Sequence, residues 1–239
     1  MAIQRSVRGE SVLKLARKHP NALVILGIGF GVIILLSSVF LIKNLSGKKD
    51  VKKESTRSLM DKGSAQYKQG AFAEAIGQFE KLVSQKPKDP EARYKLGMAY
   101  QGAGKVNEAI KEYSEATKLN PKMTQAHYQL GIAYRTSGKD KEAIKALEES
   151  VRLSPDLGGA RFMLAQLYEK ADRIDDAIEQ YKTLLELKLH GMNLADAHNE
   201  LGLLYAKDGN IEKAKAEWNS SLKIDPNNER AKELLSEHR

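Results

Sequence analysis

The segment PEARYKLGMAYQGAGKVNEAIKEYSEATKLNPK, residues 90–122, decides the fold of this chain. Its apolar and small residues recur three and four apart on both sides of Gly104, which predicts two short amphipathic helices joined by a tight turn. Pro121 follows the second helix, at a place where proline ends helices. The segment is therefore one helix pair with an apolar face.

The same pattern returns along most of the remaining chain. An alanine of the second helix stands at Ala75, Ala109, Ala143 and Ala177, each 34 residues apart, and Ala214 follows after 37. The turn glycines and helix-ending prolines recur with it at Gly70, Gly104, Gly138, Gly209, Pro87, Pro121, Pro155 and Pro226. Repetition at this period predicts stacked helix pairs, which bury apolar surface in layers between neighbours.

The repeats resemble the tetratricopeptide repeat family in their leucine-glycine pair, tyrosine, alanine, large apolar residue and proline. The small position is held by Gly63, Gly97, Gly131, Ala165 and Gly202, and the large one by Phe79, Tyr113, Leu147, Tyr181 and Trp218. The resemblance implies an all-α, right-handed solenoid of five helix pairs. The pairs occupy 56–89, 90–123, 124–157, 158–194 and 195–228, and a capping helix follows in 229–239.

Two repeats depart from the family pattern. The first has Lys62 and Gln66 where leucine and tyrosine are usual, as expected of a terminal unit. The fourth has Asp172 in the glycine position of the turn, and an insertion lengthens its end. We expect a longer turn from Leu189 to Leu194. The alternatives are a local change in the pitch of the superhelix or an exposed contact at Met192.

An uncharged apolar segment from Ala22 to Ile42 precedes the repeats. As a helix it would span about 30 Å, the thickness of the hydrocarbon core of a bilayer. We therefore predict a single transmembrane helix over 22–42, between a basic tail, 1–21, and a basic linker, 43–55. A cleavable signal peptide is the alternative, but the segment is longer than the apolar core of such peptides and no small-residue cleavage site follows it.

Gly27 and Gly31 lie within the predicted transmembrane helix at G-x-x-x-G spacing. This spacing lets two membrane helices approach closely, so a homo-oligomer through the transmembrane helix is one interpretation. Glycine is also common in membrane helices that do not associate, which is the alternative.

The net charge of +8 is concentrated beside the apolar segment. Residues 1–21 and 43–58 each carry a net charge of +4, whereas the basic and acidic residues of 59–239 balance. Lysines at a membrane surface attract anionic lipid head groups, and the linker supplies Lys48, Lys49, Lys52 and Lys53. The neutral repeats argue against nucleic acid as a partner.

The charge pattern favours neither orientation in the membrane strongly, because similar numbers of basic residues lie on the two sides of the segment. The dense charge of the short tail favours a cytoplasmic tail and extracytoplasmic repeats, since long domains cross membranes largely regardless of charge. We predict a single-pass protein of a bacterial cytoplasmic membrane.

The family resemblance also implies a binding surface. Related superhelices line their concave face with the second, fifth, ninth and twelfth residues of the first helix of each repeat. The candidate partner-binding residues in this chain are Tyr67, Tyr94, Met98, Tyr128, Ile132, Arg135, Phe162, Gln166 and Leu203, and Asn199 occupies the same row as Tyr94. Such a surface suits a protein or peptide with apolar anchor residues. The alternative is that these side chains fill the bend between repeats.

Chaperone-binding members of the family grip a carboxylate with basic residues, and the matching positions here hold Met60, Ser64, Lys95, Gln125 and Gln129. One basic residue is too few for that clamp. The chain has no cysteine, and its five histidines lack metal-ligand spacing, so we predict no enzyme activity, cofactor or metal. The predicted function is a membrane scaffold that recruits or assembles partner proteins. The alternatives are a cytosol-facing receptor of the organelle-import type and an accessory subunit of a larger membrane complex.

Overall fold

The computed structural model describes residues 54–187 and 194–238, and this part of the chain forms eleven α-helices. They are α1 (Thr56–Lys68), α2 (Phe72–Gln85), α3 (Pro90–Gly102), α4 (Val106–Leu119), α5 (Thr124–Thr136), α6 (Asp140–Leu153), α7 (Gly158–Lys170), α8 (Ile174–Glu186), α9 (Leu194–Lys207), α10 (Ile211–Ile224) and α11 (Glu229–Glu237). We call the first helix of each pair helix A and the second helix B. The architecture is an all-α solenoid.

Several sequence predictions concern residues outside the described ranges. These are the tail 1–21, the transmembrane segment 22–42 with Gly27 and Gly31, the linker lysines Lys48, Lys49, Lys52 and Lys53, and the turn predicted from Leu189 to Leu194 except for Leu194 itself, which begins α9. They stay predictions. Among the eleven described helices, none combines the length and apolar character that crossing a membrane requires.

The helices begin and end where local chemistry favours it. Helix α3 follows Asp89, whose carboxylate accepts hydrogen bonds from the backbone N–H groups of Glu91, at 3.0 Å, and Ala92, at 3.3 Å. Pro90 is its first residue, a position where the missing N–H costs nothing. The turn after α3 contains Gly104 at φ 74°, a left-handed conformation that glycine adopts without strain.

The fourth repeat keeps this turn without glycine. Asp172 takes φ 59° at the position where the other repeats have glycine. Aspartate tolerates left-handed backbone better than most residues. Its carboxylate also accepts a hydrogen bond from Lys207 at 3.1 Å, which joins the turn to α9 of the next repeat.

The core of each repeat is a contact between a small residue and a large one. Gly97 of α3 faces the ring of Tyr113 on α4, and Gly131 of α5 faces Leu147 on α6. Tyr113 and Leu147 have no exposed surface. The small residues let the two helices approach closely, which the leucine-glycine motif predicts.

Repeats stack in sequence order. Each helix packs against the helices before and after it, and α1 also contacts α3. Helix α11 covers the last pair: Ala231 and Leu234 are buried, and Leu234 joins Trp218 and Ala214 in one apolar cluster. The end of the array is therefore closed by a short helix.

Candidate functional site

The predicted binding residues lie on one helix A after another. Tyr94, Tyr128 and Phe162 are half-buried, at the fifth position of α3, α5 and α7. The ring centroids of Tyr94 and Tyr113 lie 5.8 Å apart, and those of Phe162 and Tyr181 lie 5.6 Å apart in an edge-to-face arrangement, each pair within one repeat. The rings of Tyr94 and Phe162 therefore pack against core tyrosines and keep part of their surface exposed to solvent.

Tyr128 contacts the following repeat instead. A Cβ built on Gly159, at the second position of α7, would lie 2.9 Å from the Tyr128 hydroxyl. The tyrosine thus fills space that a side chain would need at the next helix A. Tyr128 therefore takes part in the packing between repeats, and its side chain is half-buried.

The remaining apolar candidates are also half-buried. Tyr67, Met98 and Leu203 pack against three different core clusters, and Tyr67 makes an edge-to-face contact with Phe72, with 5.4 Å between the ring centroids. Ile132 is half-buried on α5. We call the row of fifth, ninth and twelfth residues the A-helix face; its role in binding stays a prediction.

Asn199 differs from its expected place on this row. It is fully buried, and its amide donates to the side chain of Asn228 at 3.1 Å. Asn228 caps the N-terminus of α11, so the capping helix covers the position that is half-exposed in the preceding repeats. The fifth-position row of the A-helix face therefore ends before this residue.

Two candidates, Arg135 and Gln166, are brought together in a cleft. The Arg135 guanidinium donates to the Gln166 amide oxygen at 3.3 Å, from α5 to α7. The cleft has a volume of about 410 Å³. Its lining residues are Arg135, Asp140, Gln166, Leu167, Glu169, Lys170 and Glu200. We call it the α5–α9 cleft.

Ion pairs fix the rim of this cleft. Lys170 pairs with Asp140 at 2.5 Å, and Arg230 of α11 pairs with Glu200 of α9 at 2.8 Å. Burial raises the pKa of Glu200, and Arg230 acts in the opposite direction. The cleft thus combines charged groups from three A helices with a partly dehydrated carboxylate.

Sequence reasoning did not select Glu200, Lys170 or Asp140 as site residues. Glu200 follows the fifth position rather than occupying one of the four expected groove positions. Asp140 begins a helix B, whereas the family resemblance points to helix A. These residues could have been identified by comparing the charged positions of three successive repeats.

Helix A also carries a repeated polar link at its fourth position. Arg93 and Arg161 each donate to the carbonyl of the proline six residues earlier and to a side chain on helix B, Glu112 and Gln180, at 2.7 and 2.8 Å. His127 bonds to the Pro121 carbonyl at 3.1 Å. His198 pairs with Glu217 at 2.7 Å. These histidines therefore take part in packing within the repeat.

Across residues 54–187 and 194–238, no three His, Asp or Glu side chains are grouped as a metal ion would require.

Comparisons with known proteins agree with the repeat pattern. Residues 134–189 and 195–228 match two tetratricopeptide repeat family models. Residues 68–150 match the family described as anaphase-promoting complex, cyclosome, subunit 3. A comparison with curated proteins gives no significant match.

Solved structures with similar folds include a MamA protein at 27% identity, with a TM-score of 0.66 over 72% of this chain and 92% of that one. MamA from Desulfovibrio magneticus RS-1 is 19% identical, with a TM-score of 0.64 over 72% of this chain and 96% of that one. YrrB, described as a TPR protein with an unusual peptide-binding site, is 20% identical, with a TM-score of 0.67 over 79% and 95%. The last two likenesses concern the fold alone.

Proposed function

We propose that this chain, whose repeats match the tetratricopeptide family in sequence models and in fold, is a non-enzymatic scaffold that binds partner proteins through its A-helix face. The observation that carries the proposal is the row formed by Tyr94, Tyr128 and Phe162. These three rings are held by core contacts on one side and half-exposed on the other. Rings fixed in this way bind a partner with little loss of side-chain entropy.

The partner class follows from the same row. Aromatic residues one repeat apart suit an extended or helical segment with apolar anchors that enter between the A helices. Interfaces of this kind draw most of their binding free energy from a few central aromatic side chains. YrrB is a protein of this fold whose description includes a peptide-binding site, but the proposal rests on the residues of this chain.

The proposal also places the scaffold on a membrane through the segment 22–42, with the linker lysines near anionic lipid head groups. Carbonate extraction of full-length protein from membranes tests the anchor, because an integral segment stays in the pellet. Reporter fusions after Arg239 test the extracytoplasmic orientation. A cytoplasmic repeat domain would favour the receptor of the organelle-import type, and stable co-purification with one membrane complex would favour the accessory subunit.

The binding surface is tested by the double variant Tyr128→Ala/Phe162→Ala. A photo-crosslinking residue at position 94 of the full-length protein first captures the partner in native membranes. We expect the double variant to weaken that partner's affinity by more than about 2 kcal/mol, the range of interface hot spots.

The control is Glu179→Lys, a charge reversal at an exposed position of α8. It should leave the affinity within about twofold. Thermal unfolding is measured on the same samples, because loss of packing lowers stability and binding together. A folded double variant with unchanged affinity would place the binding surface elsewhere.

A further inference from the structure

The loops that lead from helix B of one repeat to helix A of the next lie along one edge of the solenoid, which we call the entry edge. The first two of these loops lie in residues 85–90 and 119–124. Both are held against the following helix in the same way, because Arg93 and His127 bond to the carbonyl of the proline six residues earlier, at 3.3 and 3.1 Å. The A helices of neighbouring repeats also touch, as α1 and α3 do. The two loops therefore lie side by side.

The chain enters the array at this same edge. Helix α1 begins at Thr56, after Ser55, whose hydroxyl accepts a hydrogen bond from the backbone N–H of Ser58 at 3.1 Å. Each loop of the entry edge leads into the N-terminus of a helix A, so the start of α1 belongs to the entry edge as well. The predicted linker, 43–55, has 13 residues, and a chain of this length spans at most about 45 Å. The start of α1 is therefore tethered within that distance of the predicted transmembrane segment.

The electrical balance of the repeats conceals an asymmetry along the array. Residues 56–123 contain 12 basic and 8 acidic residues, whereas 158–228 contain 9 basic and 12 acidic ones. The same asymmetry marks the entry edge. Its first two loops carry three exposed lysines that have no ion pair within the described part of the chain, namely Lys86, Lys88 and Lys122. The corresponding loops of the third and fifth repeats, 153–158 and 224–229, contain no lysine, and their charged residues are Asp156, Asp225 and Glu229.

The acidic residues beside the three lysines are engaged by other groups. Asp89 caps α3, and Glu115 pairs with Lys118 at 2.6 Å. Leu119 follows this pair and is 37% exposed, one of two large apolar residues with an exposed side chain among those that the structure describes. The other is Ile224, which holds the same repeat position beside the acidic loop. The entry edge of the first two repeats thus combines unpaired basic charge with an exposed apolar side chain.

We propose that the entry edge of the first two repeats lies on anionic lipid head groups, with Leu119 entering between them. The inference rests on the membrane placement in the proposed function and does not depend on the A-helix face. Surfaces that lie on membranes combine basic residues for the head groups with apolar ones for the acyl boundary. Each lysine near an anionic surface strengthens binding about fivefold, so three lysines together supply about 100-fold. The tether of 13 residues keeps this edge close to the lipid.

The test places full-length protein in vesicles of phosphatidylcholine alone or with about one-third phosphatidylglycerol. Both kinds of vesicle also contain a lipid with a nitroxide quencher on its head group. The chain has no cysteine, so Pro121→Cys provides a single site for a thiol-reactive fluorophore on the second loop. We expect quenching at position 121 to be at least about threefold stronger in the anionic vesicles. This difference should disappear at about 1 M salt, where charges are screened within about 3 Å.

Pro226→Cys is the matched label, because Pro226 is exposed at the same repeat position but follows Asp225. Quenching at position 226 should be equally weak in both kinds of vesicle, since Ile224 is exposed there without basic neighbours in its loop.

The lysines are tested by a triple variant and a control that removes the same charge. With the label at position 121, Lys86→Gln/Lys88→Gln/Lys122→Gln should abolish the difference between the two lipid compositions. The control Lys141→Gln/Lys145→Gln/Lys182→Gln changes three exposed lysines of the third and fourth repeats and should preserve that difference. Circular dichroism of both variants confirms that they have the same helix content as the parent protein.

Equal quenching of position 121 in the two kinds of vesicle, equal quenching at positions 121 and 226, or equal losses in the two triple variants would overturn the lipid surface. Equal quenching together with a crosslinked partner that binds the Lys86/Lys88/Lys122 variant more weakly would assign this edge to an acidic protein instead. Carbonate extraction and the Tyr128→Ala/Phe162→Ala variant judge the anchor and the A-helix face separately. Protein that carbonate releases but that anionic vesicles still quench has lost the anchor and keeps the lipid surface.

Discussion

At the scale of single residues, Gly97 sets the distance between the two helices of its repeat. A Cβ at this position would lie 2.7 Å from the Tyr113 ring, closer than real Cβ contacts. We expect Gly97→Ala to lower the free energy of unfolding by about 1–3 kcal/mol, the cost of overpacking a core. Urea denaturation measures this change.

The matched control is Gly77→Ala on α2, where a Cβ would meet no atom within 4 Å. There we expect stabilisation by about 0.5–1 kcal/mol, because alanine is the better helix former. If Gly97→Ala were also stabilising, the helix spacing would not depend on the missing side chain.

The glycine and its large partner could be predicted from sequence because both belong to the repeat motif. The hydrogen bonds that Arg93 and Arg161 make from the fourth position of helix A could not be predicted in this way. Each guanidinium is held partly by a backbone carbonyl of the preceding turn, an acceptor that every residue has and no sequence pattern reveals. The same limit applies to Asn199, whose burial depends on where α11 packs.

At the scale of helices, two tyrosines hydrogen-bond between repeats. Tyr168 of α7 donates to Glu148 of α6 at 2.6 Å, and Tyr100 of α3 donates to Glu80 of α2 at 2.7 Å. We expect Tyr168→Phe to lower the free energy of unfolding by about 1–2 kcal/mol, because Glu148 loses a donor in a partly buried interface. Chemical denaturation of the full-length protein measures it.

Tyr134→Phe is the control for this prediction. Tyr134 holds the same repeat position on α5, but its hydroxyl has no hydrogen bond within the described part of the chain. Removing the Tyr134 hydroxyl should change the free energy of unfolding by less than about 0.5 kcal/mol. Equal losses in the two variants would assign the effect to ring packing.

The pairing of the helices could be predicted from the repeat period, whereas the α5–α9 cleft could not. Its groups come from α5, α6, α7 and α9, and their distances depend on the rotation between successive repeats. Sequence reasoning selected Arg135 and Gln166 from family positions. It passed over Asp140, Lys170 and Glu200, because nothing in the chain order shows that these three residues line one cleft.

At the scale of the whole array, burial raises the pKa of six tyrosines, and for Tyr100 it is about 12. A raised phenol pKa means that the folded protein holds the proton more tightly than the unfolded chain. The contribution of these tyrosines to the free energy of unfolding is therefore fully present below about pH 10, the pKa of tyrosine in the unfolded chain. It is lost as the pH rises towards 12.

We expect the free energy of unfolding to decline across this range, with phenolate absorbance appearing together with loss of helix. Tyr100→Phe should decline less steeply than the parent protein. Phenolate absorbance that reached full amplitude near pH 10 while the circular dichroism stayed helical would contradict the expectation.

The sequential packing of the repeats has a mechanical consequence. Each described helix contacts mainly its neighbours in the chain, and the strongest contact beyond a neighbour is that between α1 and α3. A pull on the two ends would therefore load the inter-repeat interfaces in series, and the array would yield one interface after another, in small steps. Each released pair of 34 residues would lengthen the chain by on the order of 100 Å, so the array could act as a soft spring between whatever holds its two ends.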